Sequence, residues 1–260
     1  MDWHRLFVTG GRGGCGKSTV AAGLACALTR LGHRVGLIDL DLCERSLDLF
    51  LGCEDRVVYD LNDLLTGTRD IHGVAVEVPG VSYLYLIPGA YHLRRLPTCE
   101  ELERLFSMAE EALKLDYLVV DTSSVSDPSV KLCAKLCDLA ILVTTPGVLS
   151  ARSTASMADA LHEFGRDDIR LVVNKFSTDP RHPSTPDVRE MIDTSGIRLL
   201  GILPMGEDFA TLQDQGIPPC LSKKKLVATA AFDNMALRLL GEVCPLMTNM
   251  SLPRKKLLDI

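Results

Sequence analysis

The 260-residue chain lacks a C-x-x-C pair, a cysteine–histidine cluster at zinc spacing, and any apolar run of about 18 residues. The first two absences remove the usual small zinc modules, and the third removes a membrane-spanning helix. Positive charge is not in excess. Lys+Arg number 28 against 34 Asp+Glu, a net charge of −6, where a general nucleic-acid binder shows a strongly basic balance. No internal repeat and no dividing linker is visible, and Met1-Asp2-Trp3-His4-Arg5 runs straight into a strand-like segment, unlike a signal peptide. Hydrophobic residues at 47% and charged residues at 24% are ordinary globular usage, which excludes a disordered acidic tail protein. Nine cysteines, an odd number without a secretion signal, fit a reducing, cytosolic compartment. Cys133 and Cys137 are four apart and share one face of a helix. They read as packing thiols, with a metal site shared between two subunits as the alternative.

What is present is alternation. Short β-branched runs occur at Arg5–Thr9, Arg34–Asp39, Tyr83–Ile87, Tyr117–Asp121, Leu139–Thr144, Ile169–Asn174 and Ile197–Leu203. Helical spacing occurs at Thr19–Leu31 (stopped by Gly32), Glu100–Leu115, Ala151–Phe164, Thr185–Thr194 and Leu226–Val243. Continuous apolar strands separated by amphipathic helices predict an α/β fold, with a mostly parallel central sheet covered by helices on both faces. The polar, proline-rich Ser177–Pro186 reads as a surface loop. Residues 1–245 read as one domain and 246–260 as a tail outside the sheet.

Gly11-Arg12-Gly13-Gly14-Cys15-Gly16-Lys17-Ser18 matches G-x-x-x-x-G-K-[ST] between a predicted strand and a predicted helix. Glycines let the backbone curl until successive N–H groups face phosphate oxygens, and the following helix N-terminus adds a favourable dipole. Lys17 supplies a mobile charge for the β/γ-phosphates, Ser18 a hydroxyl ligand for Mg²⁺, and Thr19 completes the nucleotide-binding stretch. Gly11, Gly13 and Gly16 also fit G-x-G-x-x-G, with Asp39 as the ribose partner of a dinucleotide. The Gly-Lys-Ser ending has no purpose in that fold, and a further phosphate-site acid stands at Asp121, so a nucleoside triphosphate is the expected ligand.

Asp39 and Asp41 end the second strand and can turn towards the phosphate loop. One would support the Mg²⁺ water shell and the other position the attacking water; a helix-capping pair is the plainer reading. Asp121 closes Tyr117-Leu-Val-Val-Asp, where a Mg²⁺-linked carboxylate belongs, again with a helix cap as the alternative. Asn174, after Leu171-Val-Val, stands at another strand end, either on the adenine edge or as a turn asparagine.

The basic residue before the double glycine, Asp39-Leu-Asp41, Leu47–Asp60, Gly201-Ile-Leu-Pro204 and Gln215-Gly216-Ile-Pro218 together resemble the MinD/ParA class of P-loop ATPases, over about residues 4–245. The resemblance implies a three-layer P-loop NTPase fold and an ATP-driven switch. ATP and Mg²⁺ would be held between two subunits, with Lys17, Ser18, Asp39, Asp41 and Asp121 carrying binding and hydrolysis (Ser18, Asp39 and Asp121 at the metal). Asn174 and Pro204 would flank the adenine, and Arg12 would cross to the partner's phosphates. It also implies a MinC-like inhibitor of FtsZ as partner, a MinE-like activator where one exists, and peripheral attachment to the cell membrane. Three departures stand out. The class carries lysine where this chain has Arg12, a wider planar fork. It carries Asp-[ST]-Pro-Ala-Gly where this chain has Asp121-Thr-Ser-Ser-Val125. And Ser153 replaces an acidic residue on a surface linked to partner binding.

The tail Ser251-Leu-Pro-Arg-Lys-Lys-Leu-Leu-Asp-Ile260 has Arg254, Lys255 and Lys256 for anionic headgroups and Leu257, Leu258 and Ile260 for the acyl boundary, although the apolar residues form no clean stripe. Three basic residues at about 1 kcal/mol each give roughly 3 kcal/mol, about a hundredfold. That is weak for one copy, and is multiplied when two tails share a dimer. Lys223-Lys-Lys225 reads as a solvated face. Within the same fold, a metallocentre-maturation ATPase and a flagellar-number regulator are the competing functions; the net charge disfavours DNA partitioning.

Overall fold

The computed structural model describes residues 3–41, 45–91, 95–124, 126–177, 179, 181, 184, 187–206, 211, 212, 214–222, 226–244 and 246. Its strands are β1 (Arg5–Gly10), β2 (Val35–Leu40), β3 (Val76–Glu77), β4 (Leu84–Ile87), β5 (Tyr117–Ser124), β6 (Leu139–Thr144), β7 (Ile169–Phe176) and β8 (Arg198–Pro204). They form one sheet in the order β3-β4-β2-β5-β1-β6-β7-β8. Every pairing is parallel except that of β3, which runs antiparallel on β4 at the edge. The central strands β2 and β6 are buried at every residue, which is why they read as unbroken apolar runs rather than alternating ones.

The helices are α1 (Lys17–Arg30), α2 (Leu47–Phe50), α3 (Leu61–Leu65), α4 (Ile71–Val74), α5 (Cys99–Leu113), α6 (Pro128–Leu136), α7 (Val148–Glu163), α8 (Val188–Ser195) and α9 (Val227–Leu239). Two apolar layers sandwich the sheet. On one face Leu6, Val8 and Val119 meet α1 and α9; on the other Phe7, Val120 and Leu142 meet α5, α6 and α7. Gly23 permits the closest approach in the first layer: a Cβ there would lie 2.3 Å from the Phe232 ring. The three-layer expectation is met.

Local chemistry sets the boundaries. Thr98 and Glu101 form a reciprocal capping box that starts α5, and Asp127 with Pro128 starts α6. Asp187 starts α8, later than the expected Thr185, and Gly196 ends it in a left-handed turn. The stretch 46–75 holds short helices that periodicity missed, two of them capped by Asp60 and Asp70. β5 runs past its expected end at Asp121 to Ser124, pairing Gly10 with Ser124 beyond an irregularity. Ser123 keeps the N–H that the class's proline would remove, so the ladder can continue.

Among the described residues no helix is long and apolar enough to cross a membrane. Of the loop expected over 177–186, the described residues 177, 179, 181 and 184 lie in no helix or strand. The basic run Lys223–Lys225 and, apart from Leu246, the tail 246–260 lie outside the described residues.

Candidate nucleotide site

β1 ends at Gly10 and α1 begins at Lys17, so residues 11–16 must turn tightly at the carboxyl edge of the sheet. Gly14 and Gly16 sit at φ +75 and +95, a region costly to a residue with a Cβ. No side chain caps the N-terminus of α1, and its first turn carries no acidic residue. Its leading N–H groups and positive dipole end are thereby left for an anion.

The turn is braced from below. The Asn174 amide donates to the Cys15 carbonyl at 2.8 Å, and the Lys175 ammonium donates to the Gly14 carbonyl at 2.8 Å. Asn174 Oδ1 accepts from the Lys175 N–H at 2.8 Å, with Lys175 held at φ +56. A Cβ on Gly16 would lie 2.1 Å from the Asn174 amide nitrogen, so Gly16 is required for this brace. Gly11 faces α7, where a Cβ would lie 2.2 Å from Met157 Sδ and 2.8 Å from Ser153 Oγ. Ser153, expected on a partner-facing surface, therefore packs against the phosphate loop, while Arg152 is exposed.

Asp39 and Asp121 stand opposite one another in the β2–β5 register, 1% and 0% exposed. Burial pushes the Asp39 carboxyl up to about 6, against N–H donors that favour its charge. Burial, then the charge of Asp39, pushes Asp121 well above the carboxylate range, while Ser18 and Lys17 pull the other way. Asp39 accepts from Asp41 N (3.2 Å), Ser46 N (3.2 Å) and Leu47 N (3.4 Å), so it caps the start of α2, the plainer of its two expected roles. The capping alternative for Asp121 is overturned: neither carboxylate oxygen has a hydrogen-bond partner, and α6 is capped by Asp127 instead. A buried carboxylate with both oxygens unpartnered, beside a second acid and the Ser18 hydroxyl, fits a cation better than a packed core.

Lys17 is buried at the base of the loop; Ser18 and Thr19 are half-buried in the first turn of α1, and Asp41 is half-buried beyond β2. Arg12 is exposed, and its side chain has no ion pair or hydrogen bond among the described residues. Beside the loop opens a cleft of about 490 Å³, lined by Arg12, Gly13, Gly14, Lys175, Met205 and neighbours. Pro204 ends β8 opposite Phe176 and is not part of that lining; the next residue, Met205, is. Asn174 lies under the loop with both polar atoms engaged. Lys175 and Met205 escaped the sequence reading, their one signal being adjacency to Asn174 and Pro204.

Cys133 and Cys137 are 0% and 1% exposed in the core beneath α6, which overturns a metal site shared between subunits and leaves packing thiols. Among the described residues no group of three or more His, Cys, Asp or Glu is placed to hold a metal ion.

A family model of ParA proteins, described as NUBPL iron-transfer P-loop NTPase, matches residues 3–240. The septum site-determining protein MinD of Bacillus subtilis is 33% identical over 245 residues, spanning 93% of this chain and 90% of that protein. The MinD of Synechocystis is 32% identical, with 95% and 92% covered. A MinC:MinD cell division protein complex of Aquifex aeolicus superposes with a TM-score of 0.85 at 27% identity, covering 93% of this chain and 97% of that one. A MinD complexed with Mg-ADP from Pyrococcus horikoshii, at 24% identity and a TM-score of 0.74 with 91% and 95% covered, shares the fold.

Proposed function

Since this chain belongs to the MinD group of ParA-type P-loop ATPases, we propose that it is a dimerisation switch in septum placement, assembling on Mg-ATP at the inner membrane face and released by hydrolysis. The observation that carries this reading is the unpartnered, fully buried Asp121 carboxylate beside Ser18, at the uncapped start of α1.

The chain's own residues divide the work. The amides of residues 13–18 and the dipole of α1 bind the phosphates, and Lys17 adds a full positive charge at the base of the loop. Ser18 and Asp121, with Asp39 behind them, would hold magnesium. When bound, that ion neutralises phosphate charge and draws the two raised carboxyls back to their ionised forms. Asp41, at the mouth of the acid pair, orients water. Arg12, unpaired and exposed, reaches the phosphates of a second copy, where a guanidinium fork matches phosphate oxygens and stabilises developing negative charge. The cleft between the phosphate loop and Met205 takes the nucleoside. The Aquifex complex supports a MinC-like partner for the assembled form, and a MinE-like activator is the counterpart that triggers release. Pairing brings two tails to one lipid surface, which raises membrane residence without any change in the tail.

Light scattering with ATP, ADP or no nucleotide tests the switch, followed by vesicle sedimentation of the whole chain and of residues 1–245. Dimers with ATP only, and vesicle binding that needs both ATP and the tail, are expected. A monomer at saturating ATP ends the proposal, and equal sedimentation of both chains removes the tail from it.

A further inference from the structure

The acid pair at the carboxyl edge has a second layer of support that the switch chemistry does not use. Arg45 lies three residues before Asp48, the second residue of α2, and its side chain is 7% exposed. Nε donates to Asp48 Oδ2 at 2.8 Å and Nη2 donates to the same oxygen. Nη1 reaches the Gly89 carbonyl at 3.4 Å. The flat outer face lies 4.4 Å from the ring of Tyr91, which is itself 72% exposed. Asp48 is buried at 3%, so the pair is a desolvated one.

Both anchors of this arginine border Asp39. The segment just after Arg45 supplies the Ser46 and Leu47 N–H groups that Asp39 Oδ2 accepts. Gly89 presses on the same carboxyl from the other side, where a Cβ would lie 3.0 Å from Asp39 Cγ. The bonds to Asp39 are long, at 3.2 to 3.4 Å, and do not fix the carboxylate unaided. A buried ion pair adds little net stability over an apolar replacement, so this one is better explained by what it holds in place.

We propose that Arg45 is a positioning residue for the magnesium-nucleotide site: it clasps the loop after β2 to the loop after β4 around Asp39, with Tyr91 as the plate that closes the clasp. The proposal rests on the reading above, in which Asp39 stands behind the metal. Arginine is needed for geometry as well as charge, because one planar group must meet Asp48, the Gly89 carbonyl and an aromatic face at once. Lysine keeps the charge and loses the fork.

The test titrates a fluorescent ATP analogue into the whole chain, with magnesium and with EDTA, alongside thermal unfolding. The variants are Arg45→Lys, Tyr91→Ala and Tyr91→Phe. Arg45→Lys is expected to reduce the magnesium-dependent gain in affinity about tenfold, as supporting residues around a metal commonly do, with metal-free affinity held within about twofold. Tyr91→Ala, on an exposed ring, moves the same quantity in the same direction by a smaller factor without unfolding, and Tyr91→Phe restores it. An unchanged magnesium-dependent gain in Arg45→Lys and Tyr91→Ala overturns the proposal. So does an equal loss of affinity with and without metal, which marks a structural role alone. If the unsubstituted chain binds the nucleotide equally well in both conditions, the reading of the acid pair fails first and the clasp falls with it.

Discussion

The two ends of the central sheet are built on opposite terms. At its amino end the polar groups close on one another. Asp138 Oδ2 accepts the His4 and Arg5 N–H groups at 2.8 Å each, and Asp116 Oδ2 accepts Arg34 N at 2.7 Å. The Arg5 guanidinium bonds Glu103 and Glu110, and Arg166 donates to the Ala134 and Asp138 carbonyls. At the carboxyl end several polar groups are left open. Both Asp121 oxygens and Ser123 Oγ, in the second half of β5, and Ser129 Oγ, in the first turn of α6, are buried without partners, and α1 starts uncapped. One end satisfies its polar atoms and so contributes to stability; the other forgoes part of that stability and leaves buried oxygens without partners beside the phosphate loop.

The strongest way to break this contrast is Asp121→Asn. If the open end exists for the ligand, ATP hydrolysis falls by about 10²–10³-fold, the range for losing one preorganised electrostatic group. Stability of the nucleotide-free protein stays level within about 1 kcal/mol, because without the ion burial already favours the neutral Asp121 carboxyl and the amide replaces one unpartnered polar group with another of the same shape. Turnover rates and urea midpoints check both halves. A variant that loses stability and keeps its activity would place Asp121 among the closed groups.

A smaller effect comes from pH. Asp39 has its carboxyl raised from 3.8 to about 6 in the folded chain. The folded form therefore binds the proton more tightly than the unfolded form between those values, and this group's contribution to stability falls as pH rises through that window. The whole shift is worth about 3 kcal/mol, roughly half of it recovered on going from pH 7 to pH 5. Melting curves of the unsubstituted chain and of Asp39→Asn, recorded without nucleotide over that range, isolate the group from other carboxylates. The difference between them should shrink on acidification, and should flatten when Mg-ATP is present. A difference independent of pH removes Asp39 from the open end.

The sequence makes these two ends unequally legible. The phosphate loop is contiguous, so its glycines, Lys17 and Ser18 declare themselves, and the strand ends deliver Asp39 and Asp121 to the right edge. The brace under the loop is not contiguous: Asn174 and Lys175 meet Cys15 and Gly14 across about 160 residues of chain, and the left-handed backbone at Lys175 leaves no mark in its residue type. Asn174 read either as an adenine contact or as a turn asparagine; its amide donates to the loop's own Cys15 carbonyl, a brace that neither reading named. The edge strand Val76–Glu77 is too short to have a period. The helices within 46–75 are shorter than two turns, too short to show a helical period. Cys133 lies in α6 but Cys137 stands just past its end with an extended backbone, and both are buried in the core beneath the helix.

Arg5→Met supplies the mildest perturbation and sharpens the closed side of the comparison. Arg5 is 16% exposed and meets Glu103 and Glu110, which are 44% and 27% exposed. Its guanidinium also sits 5.6 Å from the Phe106 ring. Methionine keeps most of the apolar stem against that ring and removes the charge. The two glutamates remain partly in water, which takes over much of their solvation, so the loss is about 1 kcal/mol rather than the several expected of a fully buried pair. Salt screens part of what remains, so the difference narrows as ionic strength rises. Turnover per folded molecule and nucleotide affinity stay unchanged, since nothing at this end of the sheet touches the phosphate loop. Urea midpoints at low and high salt, with ATP hydrolysis measured on the same samples, test this. A loss of turnover without loss of stability would show that the two ends communicate through β1, which joins Arg5 to the loop at Gly10, and the division between them would then be one of distance only.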